Sequence, residues 1–309
     1  MKNLLKTFSP NLNYYKMKNK KTLIKNLLFI LTFLGTISFS QNKAYAEESP
    51  ECPDPSTTTI TSIADRGDAT SFYALTGGGF CKGTPDEYGV TVYKMGFCTK
   101  NPANPTLGSV LAGSAPDYST CSWTYENSTG EAASFSAGGS LDLSESYASA
   151  PTAGTYPYAV MLISKDFNIK GKFGPVGGKT YYSTSTFESS STDIADYATT
   201  TAPLNSFGGS GNCTAYTEGE SVTGGTISAY LLDSSGTMLE NDSSLSKCSG
   251  QVKLLGVMDM STDLSITEST SGLKMTFVVT NNGMSVVTNS SGDGIYMDSG
   301  PFSVTFDAF

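Results

Sequence analysis

From Val252 onward, run after run places apolar residues at alternating positions, and this period constrains the fold more than any other feature. Val252, Leu254, Met258 and Met260 alternate with mostly polar neighbours, and Leu264 and Ile266 follow. Leu273, Met275, Phe277 and Val279 share one parity, then Met284 and Val286 return after Asn281-Asn282-Gly283. Phe302, Val304 and Phe306 alternate with Ser303, Thr305 and Asp307. Successive strand side chains point to opposite faces, so this period gives one buried face and one wet face. An Asn-Gly pair between two such runs predicts a hairpin, because both residues accept positive φ at little cost.

The middle of the chain carries the same signal in shorter bursts. Ala69 to Leu75 reads as a strand ended by Gly77-Gly78-Gly79. Tyr88 to Cys98 reads as a strand whose apolar phase switches at Val92-Tyr93, which predicts a bulge or burial on both faces. Cys121 to Glu126 and Phe135 to Leu143 give two more strands. Pro151-Thr152-Ala153-Gly154-Thr155-Tyr156 predicts a turn into Tyr158–Ile163, apolar on both faces and therefore central. Pro157 places its own end at a strand start or an edge. Asp193 to Ala198 predicts a helical turn capped by Thr192. No fixed-period repeat is present.

This P-x-x-G-T-Y turn feeding an apolar strand resembles secreted sandwich domains of immunoglobulin-like or transthyretin-like type. The resemblance covers about a dozen residues and implies fold alone. The expected fold class is all-β: an antiparallel β-sandwich, as one large or two consecutive units, with little helix.

The N-terminus predicts export. Lys18, Lys20, Lys21 and Lys25 precede an apolar run from Leu27 to Phe39, and Ala44-Tyr45-Ala46 is a small-x-small cleavage pattern. The run is too short to span a bilayer core, so no membrane span is expected after cleavage. Residues 1–16 precede a second methionine, Met17, that starts a complete signal, which leaves Met1 and Met17 as alternative starts. The expected organisation is an extension and signal peptide over 1–46 and a flexible lead-in over 47–58. A first sandwich region over 59–188, a Ser/Thr/Gly-rich connector over 189–211 and a second region over 212–309 follow. The expected location is extracellular or on the cell surface, with the periplasm as the alternative.

All 28 carboxylate residues follow Ala46, and eight of the 19 basic residues precede it, so the chain after Ala46 carries a formal charge of −17. A surface that acidic has no stripe with which to neutralise phosphates, which excludes nucleic acid as a partner. It also favours solubility outside the cell.

Six cysteines remain after cleavage: Cys52, Cys81, Cys98, Cys121, Cys213 and Cys248. An even number in an exported chain predicts disulfides, and six cysteines allow fifteen pairings. The expected pairing is sequential: Cys52–Cys81, Cys98–Cys121 and Cys213–Cys248. Zinc is disfavoured, because the chain has no C-x-x-C pair and no histidine. Ser49-Pro50-Glu51 before Cys52 does not suit a lipid anchor.

The absence of histidine removes Ser-His-Asp, Cys-His and histidine-ligated zinc chemistry. No G-x-x-x-x-G-K-[ST] phosphate cradle is present. A carboxylate pair for glycoside hydrolysis or a Ser–Lys dyad survives only as a chance combination, and no pair stands out. The chain is therefore expected to be no enzyme and to need no cofactor. Calcium is the one ligand with a partial motif. Asn289, Asp293 and Asp298 echo an oxygen-rich loop that lacks its first Asp and its bidentate Glu. Asp233 to Asp242, with Glu240, is a second such stretch, and ordinary hairpin turns use the same residues. Tyr156, Tyr158, Tyr181 and Tyr182 suit either a carbohydrate-binding face or sheet packing. An outer-membrane barrel is disfavoured, because Asp307 and Thr305 hold the positions that must alternate back from Phe309.

The leading expectation is a non-catalytic cell-surface or extracellular protein with a structural, adhesive or assembly role. Its expected partners are itself, other surface proteins or glycans. A glycan- or calcium-binding module and a histidine-free glycosidase are the alternatives.

Overall fold

The computed structural model describes residues 50–104, 110–136, 149, 151–208, 212–222, 224–270, 273–289 and 292–308. The expected extension, signal peptide and start of the lead-in lie outside these residues, as does most of the strand expected over Phe135–Leu143. Ser49–Phe309 is one compact unit.

Nearly all of it is antiparallel strand. In chain order the elements are α1 (Phe72–Leu75), β1 (Phe80–Gly83), β2 (Glu87–Cys98), β3 (Cys121–Phe135), β4 (Gly154–Ser164), β5 (Asp166–Lys170), β6 (Lys172–Val176), β7 (Lys179–Ser183) and β8 (Ser190–Ser191). They continue with β9 (Thr200–Pro203), β10 (Tyr216–Val222), β11 (Gly225–Asp233), β12 (Gln251–Ile266), β13 (Leu273–Val278), β14 (Met284–Thr288), β15 (Ile295–Ser299) and β16 (Ser303–Ala308). An eight-stranded sheet runs β10-β11-β12-β4-β2-β5-β9, with β3 also on β2. Smaller sheets are β1-β14-β15, β6-β7-β8 and β13-β16. The large sheet takes strands from both sides of residues 189–211. The result is an all-β, sandwich-like fold.

The large sheet is covered on both faces. On one, Phe97, Met161, Ile163, Leu231, Leu254 and Met258 join Phe277, Val286, Ile295, Met297 and Val304 from the small sheets in a single core. On the other, Val160, Leu162, Tyr230, Leu232, Leu255 and Val257 pack with Ala103 and Met238. Each such side chain contributes on the order of 2 kcal/mol on burial. The cover on this second face is loop. Gly113 N donates to Met238 O and Met238 N to Ser114 O, both at 2.9 Å, which joins the stretch after β2 to the one after β11. The middle of β12 therefore has no wet face, contrary to its alternating pattern. Tyr158–Ile163 is central as expected, paired with β12 on one side and β2 on the other. The expected bulge is present at Val92/Lys94. Pro157 sits where the β4–β12 register breaks, between Tyr156 and Tyr158, so its missing N–H costs no ladder bond there.

Three local expectations are corrected. Ala69–Leu75 is not a strand: Ser71 Oγ accepts from Ala74 N at 3.2 Å and caps the short helix α1. Thr76 Oγ1 then donates to Phe72 O and accepts from Gly79 N, which stops it. The turn near residue 194 is a 3-10 turn over Ile194–Asp196, capped by Asp193 rather than Thr192, with Asp193 Oδ1 accepting from Ala195 N at 2.9 Å. The third correction is topological. The chain turns at Asn281-Asn282-Gly283, with Asn281 at φ 54°, but β13 and β14 do not pair. Asn282 N and Gly283 N both donate to Val279 O. The Thr84 hydroxyl accepts from Asn281 N at 2.7 Å and donates to Asn281 Oδ1 at 3.1 Å. These bonds swing the chain out of the β13-β16 sheet and into the β1-β14-β15 sheet.

Candidate functional site

Three disulfides form, with the sequential pairing Cys52–Cys81, Cys98–Cys121 and Cys213–Cys248. Cys52–Cys81 fastens the lead-in to β1, where Cys52 N donates to Lys82 O at 2.7 Å and Lys82 N to Pro50 O at 2.9 Å. Cys98 and Cys121 are register partners at the end of β2 and the start of β3. Cys213–Cys248 joins the segment before β10 to the 3-10 turn before β12. With sequence separations of 29, 23 and 35, each cross-link is worth about 3–4 kcal/mol in the chain-entropy model. Such bonds persist in oxidising compartments outside the cytosol. Among the described residues, no helix is long and apolar enough to cross a membrane.

The calcium candidates are placed as follows. Asn289 Oδ1 accepts from Asp293 N and Gly294 N, each at 3.1 Å, and Asn289 Nδ2 donates to Asp293 Oδ1 at 2.8 Å. Both side chains thus close the β14–β15 turn. Asp298 lies on β15 opposite Ser285, three residues past Ile295, about 10 Å along the strand from that turn. The second acidic stretch also serves its own backbone. Asp233 Oδ1 accepts from Ser235 N, Ser235 Oγ and Thr237 N, and these bonds hold its carboxyl below the usual range. Asp242 exchanges two backbone bonds with Cys213. Among the described residues, no three Asp, Glu, Cys or His side chains are gathered as a metal would need.

The Asp298 carboxylate departs in the opposite direction from Asp233. Burial, joined by the Glu188 charge, pushes the Asp298 carboxyl up, while Ser299 N donates to it at 2.6 Å. Glu188 itself holds φ 57°, unusual for a residue with a side chain. Nearby, the Ser190 hydroxyl donates to Ile295 O.

The four tyrosines do not form one row. Tyr156 is buried, with its hydroxyl donating to Thr152 O at 2.9 Å. Tyr158 sits at the end of the β2–β4 ladder opposite Asp259 on β12. Tyr182 packs against Tyr197, with ring centroids 5.3 Å apart. Tyr181 lines a cleft.

That cleft, of about 350 Å³, lies where three loops meet: 62–65, the β6–β7 turn and the β14–β15 turn. Its lining includes Ser62, Asp65, Lys179, Tyr181, Gly292 and Asp293. Gly177 N donates to Ile60 O at 2.8 Å and fixes the first loop against the β6–β7 turn. A Cβ on Gly292 would come within 3.0 Å of the Ala64 Cβ, so glycine lets the third loop close on the first. Asp65 Oδ1 accepts from Gly67 N at 2.9 Å. Ser62 Oγ is buried and has no hydrogen-bond partner. Burial and the Asp293 charge push the Tyr181 phenol up, so it stays protonated as a donor. Of these residues, sequence reasoning singled out Tyr181 and Asp293. Ser62, Asp65 and Lys179 carry no motif, and only the folded chain brings them together.

No family model, curated protein or solved structure matches the chain.

Proposed function

We propose that this is an exported, non-catalytic protein of the cell surface or extracellular space with a structural or adhesive role. One observation carries the reading: three disulfides brace an all-β body in a chain that has no histidine. Two of the sheet margins resist strand addition, which favours a discrete body over an open-ended polymer. β10, at one edge of the large sheet, carries Glu218 and Glu220 around a register shift, a charged and bulged edge that resists strand addition. The outer side of β1 is taken by Pro50 and Cys52.

The test is labelling of intact cells with an antibody or a membrane-impermeant reagent, alongside attachment assays of cells with and without the protein. The proposal expects surface or medium localisation and weaker attachment without it. A cytosolic protein, or attachment and cell envelope unaffected by its loss, contradicts it.

A further inference from the structure

We infer that the cleft lined by Tyr181, Lys179, Ser62, Asp65 and Asp293 binds one sugar unit of a glycan, with the Tyr181 ring as its stacking surface. The inference rests on the adhesive reading above and names the chemistry of the partner.

A sugar ring presents an apolar C–H face and a rim of hydroxyls that both donate and accept. It therefore needs one aromatic surface and a mixed set of polar groups around it. The cleft supplies both. Its volume is at the small end for ligand pockets and suits a single ring. Tyr181 is half-buried, with an apolar ring and a polar tip. Lys179 offers ammonium donors and makes no ion pair among the described residues. Asp65 keeps its second carboxylate oxygen available beyond the bond to Gly67 N. The Ser62 hydroxyl is closed off from the cleft, so the polar contacts to the sugar rim come from Lys179, Asp65 and the Tyr181 phenol.

Other ligands fit less well. No metal-gathering group is present among the described residues. The two carboxylates beside a single lysine disfavour a phosphate or polyanion, in keeping with the acidic chain as a whole. The cleft is too open, and its walls too mixed, to enclose a lipid tail.

The test is NMR titration of the disulfide-intact protein with neutral hexoses, N-acetylhexosamines and hexuronates. At least one is expected to shift resonances of Lys179, Tyr181 and Gly292. Lys179→Met alters an exposed side chain and should leave the melting temperature unchanged while weakening binding. Tyr181→Ala should weaken binding about tenfold, in line with loss of an aromatic contact. Tyr182→Ala, whose ring packs on Tyr197 instead, should leave it intact. Absence of binding to every sugar overturns the inference, as does binding that survives both Lys179→Met and Tyr181→Ala. Attachment assays separate this result from the adhesive reading. Equal attachment to native and deglycosylated surfaces, with no sugar bound, sinks the site and leaves adhesion standing. Sugar binding without attachment sinks adhesion and supports the site.

Discussion

The Tyr88 hydroxyl donates to the Gly300 carbonyl at 3.2 Å, across 212 residues of chain. Both residues are buried, and the Tyr88 ring is ringed by Phe135, Phe167 and Phe302 at 5.6, 5.9 and 5.8 Å. This bond ties β2 of the large sheet to the link between β15 and β16. Tyr88→Phe leaves a buried carbonyl without that donor and should cost about 1 kcal/mol. Gly300→Ala should cost more, about 3 kcal/mol, because its Cβ would sit 1.9 Å from the Asn282 carbonyl oxygen. Urea unfolding of both variants checks the order.

The three disulfides should differ in resistance to reduction. Cys213 and Cys248 are each 1% exposed, whereas Cys52 and Cys121 are half-buried. Thiol–disulfide exchange needs access to a sulfur. Under mild reductant without denaturant, Cys213–Cys248 should open last, as read by alkylation and peptide mapping.

Two carboxylates should shape the pH profile with opposite sign. The raised Asp298 has a folded pKa above its unfolded one, so its contribution favours the fold at low pH and is lost as pH rises through the raised value. Asp298→Asn should therefore raise Tm at neutral pH, and the gain should vanish in acid. Asp68 is held low by the Thr61 and Thr70 hydroxyls, so its contribution is present above the ordinary carboxylate pKa and is lost as pH falls. Asp68→Ala should lower Tm at neutral pH, with a shrinking difference in acid. Thermal melts across pH 3–8 read both.

Asn289 should matter as a turn former. Asn289→Ala removes the acceptor for Asp293 N and Gly294 N and should cost about 1 kcal/mol. The loss should be the same in calcium and in EDTA. A loss seen only in calcium would restore the cation reading of Asn289, Asp293 and Asp298.

What the sequence revealed follows from what is local. Strand periodicity reported the class, and the phase switch at Val92-Tyr93 reported a real bulge, because both depend on neighbours along the chain. The sequential cysteine pairing was legible for the same reason, since each pair closes a short loop. Partner choice was not legible. Asn281-Asn282-Gly283 forms its turn, yet the Thr84 side chain and Gly300, whose N–H donates to Gly283 O, decide which sheet the chain enters. β12 looked half-exposed because its cover comes from loops that carry no strand period, one of them, with Ala103, far off in sequence and the other, with Met238, folding back from just before it. The cleft was hidden likewise: Ser62, Lys179 and Gly292 share no spacing, and three turns bring them to one place.

The central claim is a cross-braced body outside the cytosol. Its most direct test is thiol alkylation under denaturing conditions of protein taken from its native source, followed by peptide mass mapping. The account predicts no alkylated cysteine, and the linkages Cys52–Cys81, Cys98–Cys121 and Cys213–Cys248. Six alkylated cysteines would contradict it.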